Sequence, residues 1–506
     1  MQYNILEYLE NTVKRVPEKL AYADENSGLT FKEVSHQAKA IGSFISKEGL
    51  YKEPLVVFMK RQPATISAFY GVVYSGNYYV PIDEEMPRYR IEMILKNLKP
   101  KAIICDETAK EIMANISFEG QVYDFDEIIK TEVEEKRLDD IRDKALDIDP
   151  IYVVFTSGST GSPKGVVACH RSVIDYIENL SEVLSFDENS VFGNQSPLYF
   201  DACLKEVYST MKFGGTTYMI PKQLFMFPMK LVDFLNEKKI NTVCWVVSAL
   251  TMISAFKVLE TNVPKYLHTV AFGSEVFPIK QFNLWKKALP NARFVNLYGP
   301  TEATGMSCYY EANREFSEDE VIPIGKPFRN TEIILIDEDQ KTPKQGELGE
   351  ICIRGTGVTL GYYEDFEKTN EVFVQNPLNK AFAELVYKTG DLAKIDEHGD
   401  LIFVSRKDYQ IKHMGHRIEL GEIESNVNQI SGIKAACCIY PKEKKKIALF
   451  YVGDLKASDI TAQLKEKLPR YMIPNIIKNL EAMPLTPNGK IDRVLLNEKL
   501  VKKEKK

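Results

Sequence analysis

Over roughly the first 400 of its 506 residues, this sequence repeats one order of elements: a short apolar run, a turn and a helical pattern. Some of the runs precede helix-like stretches, for example Pro63–Tyr74 and 231–239. Because strands that alternate with helices usually pair in parallel, we predict an α/β fold with largely parallel sheets. The strand-like runs are residues 55–58, 101–105, 151–155, 242–247, 269–272 and 294–296.

From about residue 321 the pattern changes to closely spaced strands with turn residues between them. Strands predicted at 331–336, 350–353 and 401–404 indicate a small β-rich subdomain. The last hundred residues form a separate pattern, with predicted helices at 420–428 and 457–467 and strands at 435–440 and 447–452. We therefore predict a large N-terminal domain over 1–406, with two α/β subdomains and the β-rich one, followed by a small α+β domain over 407–506.

The net charge of −6 is unevenly distributed along the chain. Residues 407–506 contain 20 Lys and Arg against 12 Asp and Glu, a net charge of +8, so residues 1–406 carry −14. A basic unit on an acidic body is compatible with nucleic-acid binding. However, the sequence has no aromatic-interleaved basic stripe and no recognition-helix pattern, so we expect no nucleic-acid partner.

The sequence shows no pattern typical of a signal peptide or a membrane span. Its first fifteen residues form an amphipathic helical pattern that includes Glu7 and Glu10. The longest uncharged stretch, 241–256, is shorter than a spanning helix and is predicted to be a buried strand leading into a helix. The eight cysteines lack metal-ligand spacing. We expect a cytoplasmic monomer with reduced thiols and no membrane partner.

The sharpest local motif is TSGSTGSPKG at 156–165, directly after a predicted strand. A loop rich in glycine and hydroxyl groups lets backbone N–H and side-chain O–H groups approach phosphate oxygens, and Lys164 adds a positive charge. It is not a Walker loop, because Pro163 stands where the second glycine is needed. Gly355, Gly357 and Gly361 also fail the dinucleotide-binding fingerprint by one residue.

Ten segments in order along nearly the whole chain resemble the core motifs of the adenylate-forming superfamily, which includes acyl-CoA synthetases, luciferases and peptide-synthetase adenylation domains. The resemblance is closest to free-standing amino-acid adenylation domains. It implies ATP and Mg²⁺ as cofactors and a mobile C-terminal domain. Besides the phosphate loop, the segments are LTFKE (29–33), SGNYYVPID (75–83), YFD (199–201), NLYGPTE (296–302), GEL (346–348), YKTGD (387–391), 410–424, LPRYMIP (468–474) and NGKIDR (488–493).

The first reaction of this superfamily brings a carboxylate to the α-phosphate of ATP, so two anions must approach each other. Positive partners and positioning then supply most of the catalysis. The resemblance places Lys490, after the predicted Asn488-Gly489 turn, between the carboxylate and the ribose–phosphate. It assigns the metal to Glu302 and α-phosphate contact to Thr301, and a single carboxylate plus ATP oxygens suits Mg²⁺.

The resemblance also implies a set of nucleotide contacts. Tyr298 would stack on adenine, and Asp391 would accept hydrogen bonds from the ribose hydroxyls, close to Arg406. The residues implied in ATP binding are Thr156, Ser157, Gly158, Ser159, Thr160, Gly161, Lys164, Gly273, Ser274, Glu275, Asn296, Leu297, Tyr298, Gly299, Pro300, Thr301, Asp391, Phe403, Arg406 and Lys490.

The same resemblance implies a hinge at Asp408, about which the C-terminal domain swings between the two half-reactions. In one orientation it would present Lys490. In the other it would present residues 410–415, including Lys412 and Gly415, beside the channel for the incoming thiol.

Asp201 follows Phe200 at the position that pairs with the substrate α-ammonium in amino-acid-activating relatives, which favours an amino acid over an aryl or fatty acid. Lys205 is the unusual pocket member: it either pairs with Asp201 or Glu206, points to solvent, or recognises a side-chain carboxylate or another acceptor of the substrate. Bulky neighbours predict a shallow cavity. The implied substrate residues are Phe200, Asp201, Ala202, Lys205, Trp245, Val270, Phe272, Leu297, Gly305, Met306 and Lys490.

The sequence ends 16 residues after Lys490 and contains no carrier-attachment motif. We therefore expect the acceptor to be the phosphopantetheine thiol of a separate acyl or peptidyl carrier protein. The basic residues around 442–446 are either a surface that steers an acidic carrier or a solvated hairpin tip. The alternatives are an acyl- or aryl-acid CoA ligase and a D-alanine–carrier protein ligase, in whose pocket Phe272 would replace a small cysteine. A non-enzymatic scaffold is disfavoured, because every charged group of the ATP cycle is present.

Overall fold

The computed structural model describes residues 2–158, 162–441, 444–486 and 491–502. Two units can be distinguished. The first comprises Met1–Glu84, Leu98–Val154 and Gly165–Ser405, and the second comprises Glu85–Asn97, Phe155–Lys164 and Arg406–Lys506. The division into functional domains at residues 406 and 407 remains a prediction.

Strands and helices alternate through most of the first unit, and both units are mixed α/β structures. In chain order the strands are β1 (Leu20–Ala23), β2 (Gly28–Thr30), β3 (Pro54–Phe58), β4 (Tyr78–Ile82), β5 (Ala102–Cys105), β6 (Gln121–Asp124), β7 (Pro150–Thr156), β8 (Lys164–Cys169), β9 (Val191–Asn194), β10 (Thr216–Met219), β11 (Thr242–Val246), β12 (Thr269–Gly273), β13 (Arg293–Tyr298), β14 (Cys308–Glu311), β15 (Lys326–Pro327), β16 (Thr331–Ile336), β17 (Gly349–Gly355), β18 (Phe373–Gln375), β19 (Leu385–Ile395), β20 (Leu401–Arg406), β21 (Gln410–His413), β22 (His416–Glu419), β23 (Ile433–Ile439), β24 (Ala448–Gly453) and β25 (Ile476–Asn479).

The helices carry the chain between these strands, and short 3-10 turns mark several loops. The helices are α1 (Leu6–Arg15), α2 (Phe31–Lys47), α3 (Pro63–Tyr74), α4 (Arg88–Leu98), α5 (Glu107–Met113), α6 (Phe125–Ile128), α7 (Glu135–Arg142), α8 (His170–Leu184), α9 (Leu204–Phe213), α10 (Pro228–Glu237), α11 (Val247–Ala255), α12 (Ile279–Ala288), α13 (Phe366–Val372), α14 (Leu420–Asn428), α15 (Ala457–Lys467) and α16 (Arg493–Lys502). The 3-10 turns are Asp201–Cys203, Lys222–Met226, Val258–Glu260, Thr301–Ala303 and Arg470–Met472.

Two large sheets form the body of the first unit. One has six strands in the order β6-β5-β3-β4-β7-β8, and the other has nine in the order β15-β14-β13-β12-β11-β9-β10-β1-β2. Pairing is parallel among β3, β4, β5, β6 and β7, and among β1, β9, β10, β11, β12 and β13. Continuous apolar runs such as β3 and β4 are buried along their whole length, as expected for strands covered on both faces.

A smaller antiparallel sheet completes the first unit. It has the order β16-β17-β19-β18, and β20 pairs with β19. The second unit contains the β21–β22 hairpin and a three-stranded sheet in the order β23-β24-β25. Helices α14 and α15 pack on this second unit's own apolar core, which includes Ile423, Leu449 and Leu464.

The architecture predicted from sequence periodicity is confirmed at the level of elements. Predicted bounds agree fully for α3, α14, α15 and β16, and the uncharged stretch 241–256 forms β11 followed by α11. Helix α10 begins three residues before the predicted start, because Pro228 is favourable in the first turn of a helix. Within the described ranges, no helix is long and apolar enough to cross a membrane.

Helices α2 and α3 approach each other closely through glycine. A Cβ on Gly71 would lie 2.5 Å from both Cβ and Cγ2 of Ile41, and a Cβ on Gly42 would lie 2.6 Å from Cβ of Tyr74. Such contacts are shorter than van der Waals separation, and an atom attached directly to the backbone moves away only if its helix moves. The glycines therefore set the distance between the two helices.

We expect Gly71→Ala to destabilise the first unit, although alanine is the better helix former. The overpacking cost of about 1–3 kcal/mol exceeds the propensity gain of about 1 kcal/mol. Thermal unfolding followed by circular dichroism measures the change. His36→Ala, on the exposed face of α2, is the matched control and should leave the melting temperature nearly unchanged. An unchanged melting temperature for Gly71→Ala would contradict the close-packing argument.

Candidate active site

The candidate substrate pocket lies where β11, β12 and β13 end. Val246 is in register with Gly273, and Gly273 with Leu297, so the carboxyl ends of these parallel strands meet at one edge of the nine-stranded sheet. Loops that follow such strand ends are the usual location of ligand sites in α/β sheets. The chain therefore gathers side chains more than fifty residues apart in sequence at one edge.

A cavity of about 10 Å³ opens at this edge, roughly the space of one water molecule. The structure brings together six of the residues predicted for the substrate pocket, whereas Phe200, Asp201, Val270 and Gly305 do not line the cavity. Val270 lies deeper on β12, in the core beside Phe282. The lining residues are Ala202, Lys205, Trp245, Phe272, Leu297 and Met306 from the prediction, Gly273 and Ser274 from the predicted nucleotide stretch, and Ser196, Cys244, Val246 and Ala271.

Ser196, Cys244, Val246 and Ala271 were not predicted to line this pocket. Three of them lie at or near the ends of β11 and β12, and Ser196 follows β9, the neighbouring parallel strand. The sequence signal that would have found them is the pairing order of the strands, because residues at the ends of adjacent parallel strands share one edge.

Aromatic side chains hold two walls of the cavity in place. The indole N–H of Trp245 donates to the carbonyl oxygen of Gly193 at 2.7 Å. The ring of Phe272 packs edge-on against Phe277, with ring centroids 5.0 Å apart. Both side chains are almost fully buried, so these walls are rigid and apolar.

Among the described residues, Lys205 is the one lysine in the lining of this cavity, and only 4% of its surface is exposed. In the described part of the chain, its ammonium has no hydrogen-bond acceptor and no carboxylate oxygen within 4.0 Å. The pairings with Asp201 and Glu206 considered from sequence are therefore absent. A buried lysine that forms no ion pair with a described residue is rare, which makes Lys205 the most unusual feature of the pocket.

Glu206, next to Lys205 on α9, is completely buried. Neither of its carboxylate oxygens has a hydrogen-bond partner among the described residues. Burial raises the pKa of Glu206 to about 7, and the nearby Lys205 ammonium only partly opposes this rise. A substantial fraction of Glu206 is therefore uncharged at neutral pH.

The predicted adenine-contacting stretch starts at the end of β12. A Cβ on Gly273 would lie 2.4 Å from the carbonyl oxygen of Leu297, so only glycine allows this approach of β12 to β13. Ser274 follows with φ = 66°, a left-handed conformation that non-glycine residues rarely adopt outside turns and functional sites. A carboxylate oxygen of Glu275 accepts the backbone N–H of Ser248 at 2.8 Å.

Tyr298 and Asp391, predicted to bind adenine and ribose, form a buried pair. The Tyr298 hydroxyl donates to Oδ2 of Asp391 at 2.5 Å, and the Asp391 backbone N–H donates to Oγ1 of Thr389. Burial and the Asp391 carboxylate raise the pKa of Tyr298 well above its usual range, so its hydroxyl stays protonated and remains a donor. The tyrosine thus orients the carboxylate, a role that the sequence prediction of base stacking did not include.

Glu302 lies in the 3-10 turn Thr301–Ala303, which follows β13, and it is completely buried. The hydroxyl of Tyr362 donates to its Oε1 at 2.7 Å, and its backbone carbonyl accepts the N–H of Thr359. Tyr362 was missed by the sequence prediction, since it lies sixty residues away. Across the described residues, no group of three or more His, Cys, Asp or Glu side chains could hold a metal ion.

In the second unit, the described part of the phosphate loop is bonded to the segment that contains β22 and α14. The Ser157 hydroxyl donates to the carbonyl oxygen of Arg417 at 2.9 Å. The backbone N–H of Gly158 donates to Oε2 of Glu422 at 3.2 Å, and Glu422 also accepts a hydrogen bond from Arg90 at 2.8 Å. A Glu422 carboxylate oxygen therefore accepts a hydrogen bond from a loop N–H group, and N–H groups in such loops commonly bind phosphate oxygens.

Thr156 ends β7, and its hydroxyl oxygen is buried without a hydrogen-bond partner in the described chain. An orphaned hydroxyl at the start of the loop fits a ligand with acceptor oxygens, such as a phosphate. A Cβ on Gly158 would lie 2.0 Å from the carbonyl oxygen of Ser162, so this turn requires glycine. Ser159, Thr160 and Gly161 lie outside the described residues, as does Lys490.

The predicted hinge is tied to Arg406. The guanidinium contacts both carboxylate oxygens of Asp408 at 2.7 Å, and the Gln410 N–H donates to the same carboxylate. Although burial opposes it, the Arg406 interaction holds the pKa of Asp408 below its usual value. Lys412 lies opposite Arg417 in the β21–β22 hairpin, whose turn contains Met414 and Gly415, both with positive φ.

The remaining predicted nucleotide residues lie on regular elements. Asn296 is held by a hydrogen bond from its Nδ2 to the carbonyl oxygen of Pro323 at 2.8 Å. Phe403 lies on β20 and packs on the core of the small antiparallel sheet, and Lys164 begins β8. Gly299 and Pro300 connect β13 to the 3-10 turn that carries Thr301.

Comparison with known proteins identifies the family. The AMP-binding enzyme family matches residues 9–363, and the chain belongs to it. Tyrocidine synthase 1 of Brevibacillus parabrevis is 31% identical over 506 residues, which cover 98% of this chain and 45% of that protein. Gramicidin S synthase 2 of Brevibacillus brevis is 32% identical over 488 residues, which cover 95% of this chain and 11% of that protein. The chain thus spans less than half the length of these curated relatives.

Solved structures show the same fold. The Vibrio cholerae adenylation domain AlmE, in complex with glycyl-adenosine-5'-phosphate, matches with a TM-score of 0.85 at 19% identity, covering 99% of this chain and 98% of that one. The fused adenylation–PCP di-domain NpsA-ThdA from Klebsiella oxytoca matches with a TM-score of 0.81 at 20% identity, covering 94% of both chains. The chain therefore has the adenylation-domain fold of the adenylate-forming superfamily.

Replacing Tyr298 by phenylalanine tests the Tyr298–Asp391 pair. We expect Tyr298→Phe to lower the free energy of unfolding by about 1–3 kcal/mol, because the buried Asp391 carboxylate loses a donor. Chemical denaturation measures the loss. Tyr309→Phe on the neighbouring strand β14 is the matched control and should change stability little. Equal stabilities of the two variants would contradict a structural role for the hydrogen bond.

Proposed function

We propose that this protein activates the carboxylate of an amino acid with ATP and then transfers the aminoacyl group to the phosphopantetheine thiol of a separate carrier protein. The observation that carries this proposal is the pocket at the ends of β11–β13 in a chain of the AMP-binding enzyme family. Asp201 directly precedes Ala202, which lines that pocket. Its carboxylate provides the partner that an α-ammonium group needs.

In the first step, an oxygen of the substrate carboxylate attacks the α-phosphorus of ATP, and pyrophosphate leaves with the bonding electron pair. Because both reactants are anions, the reaction needs positive charge at the phosphorus and the leaving group. We assign this charge to Lys490 and Lys164, and assign phosphate contacts to the loop residues from Thr156 to Gly161. The Thr156 hydroxyl, which has no hydrogen-bond partner among the described residues, supports that assignment.

We assign the ribose to Asp391 and the metal to Glu302. The Tyr298 hydroxyl engages one oxygen of Asp391, and a carboxylate has further lone pairs that can accept from ribose hydroxyls. Tyr362 orients Glu302 in the same manner. When bound, Mg²⁺ would neutralise charge on the phosphates and orient them.

In the second step, the carrier thiol loses its proton to solvent and its sulfur attacks the carbonyl carbon of the aminoacyl-AMP. A C–S bond forms, the acyl C–O bond breaks, and AMP leaves with the bonding electron pair. We assign the hinge for the intervening domain motion to Asp408 and the thiol channel to Lys412 and Gly415. This assignment is supported by the Arg406–Asp408 ion pair, which joins the last residue of β20 to the proposed hinge. A change of backbone torsion at Asp408 must rearrange or break this ion pair.

Loss of Lys490 tests the adenylation step. We expect Lys490→Ala to reduce amino-acid-dependent ATP–pyrophosphate exchange by about 100-fold or more, because transition-state charge is left uncompensated. Lys499→Ala, an exposed lysine on α16, is the matched control and should retain exchange. Undiminished exchange by Lys490→Ala would exclude the proposed catalytic role. Exchange with aryl or fatty acids but no amino acid would exclude the substrate class.

Charge reversal on the second unit tests carrier recognition. Lys445 and Lys446 are exposed just before β24, and carrier proteins are typically acidic. We expect Lys445→Glu/Lys446→Glu to slow carrier loading by about 10-fold at low salt while leaving pyrophosphate exchange unchanged. Lys456→Glu/Lys465→Glu makes the same change of net charge elsewhere in the unit. Equal loading rates for the two variants would exclude this docking surface, and loading of coenzyme A in preference to a carrier would exclude the proposed acceptor.

A further inference from the structure

We propose that the activated amino acid has a side-chain carboxylate and that Lys205 is the residue that selects it. This inference rests on the proposed amino-acid adenylation and adds the class of the substrate side chain. It is carried by the position of Lys205, which lines the pocket and forms no ion pair with a described residue.

The burial of Lys205 carries a desolvation free-energy cost that an anionic partner would offset. The residue is only 4% exposed, yet among the described residues its ammonium donates no hydrogen bond and has no carboxylate oxygen within 4.0 Å. Buried cations in proteins are almost always paired, because desolvation without compensation is strongly unfavourable. Lys205 also lines the cavity, so an anion that enters the cavity comes close to this side chain.

The neighbouring walls of the pocket are largely apolar. Trp245, Phe272, Leu297 and Met306 are apolar, and the indole N–H of Trp245 is already bonded to Gly193. The described lining also includes the neutral hydroxyls of Ser196 and Ser274, so Lys205 supplies its one positive charge. The apolar walls also lower the local dielectric constant, which strengthens an ammonium–carboxylate contact once the pair forms.

The neighbouring Glu206 does not remove the need for a partner. Its carboxylate lies beyond 4.0 Å from the Lys205 ammonium, and neither of its buried oxygens has a hydrogen-bond partner among the described residues. Burial raises its pKa to about 7, so it is only partly ionised at neutral pH. Lys205 therefore remains the dominant charge that faces the cavity.

Asp201 and Lys205 lie close together along the chain. Asp201 begins the 3-10 turn Asp201–Cys203, which continues into α9, and Lys205 follows four residues later. One helical turn separates the two residues, a rise on the order of 6 Å. An α-amino acid whose ammonium pairs with Asp201 would direct a short acidic side chain towards Lys205. Lys205 and Met306 are unbranched and flexible, so their rotation enlarges the small cavity as the substrate enters.

The test is ATP–pyrophosphate exchange by the full chain with paired substrates: aspartate against asparagine and glutamate against glutamine. We expect at least one acidic amino acid to exceed its amide by about 10-fold or more in kcat/KM. Lys205→Met should lose about 100-fold on that acid, mainly through KM, while Lys205→Arg keeps the preference for the acid over the amide. Lys230→Met, an exposed lysine on α10, is the matched control.

Thermal unfolding of Lys205→Met separates selection from folding. Removal of an unpaired buried charge should leave the melting temperature unchanged or raise it. The inference is overturned if the best substrate is a neutral or basic amino acid that Lys205→Met activates as fast as the parent protein does. Activity with aryl or fatty acids alone would instead overturn the proposed amino-acid adenylation, so the two failures are distinguishable.

Discussion

Parallel pairing of β11, β12 and β13 is the constraint on which the candidate substrate pocket depends. The three strands end in register at one edge of the nine-stranded sheet, where Val246, Gly273 and Leu297 lie side by side. Because Gly273 has no Cβ, its strand approaches the Leu297 carbonyl closely enough to preserve that register. The aromatic walls of the pocket and the turn that carries Glu302 follow directly from these strand ends. Displacement of one of these strands by a residue would turn the side chains of that strand to the opposite face.

Buried charge in the first unit falls into two kinds. Asp391 and Glu302 each accept a hydrogen bond from a buried tyrosine, Tyr298 and Tyr362 respectively, so the fold orients these carboxylates before any ligand binds. Lys205 and Glu206 have no such support in the described residues. Oriented carboxylates suit contacts shared by every turnover, such as those with nucleotide and metal. An unsupported charge suits a contact that the substrate itself must complete, which is how a pocket rejects molecules lacking the matching group.

Much of the fold could be predicted from periodicity and turn residues. The strand β16 and the helices α3, α14 and α15 have the predicted bounds, because in each the apolar spacing and the flanking turn residues agree. The order of strands within a sheet could not be predicted in this way. It depends on which apolar faces pack together, and that information is distributed over the whole chain.

Local sequence was enough to predict a site where the function depends on the backbone of one short segment. The glycine- and hydroxyl-rich loop at 156–165 is such a case, because Gly158 must lie against Ser162. Local sequence also sufficed to assign the chain to the adenylate-forming superfamily, since the motifs are short and ordered. Only the tertiary structure could show that Tyr362 supports Glu302, that Tyr298 orients Asp391, and that the buried Lys205 forms no ion pair with a described residue. Those three facts are distances between side chains far apart in sequence, and no local pattern of residues encodes such a distance.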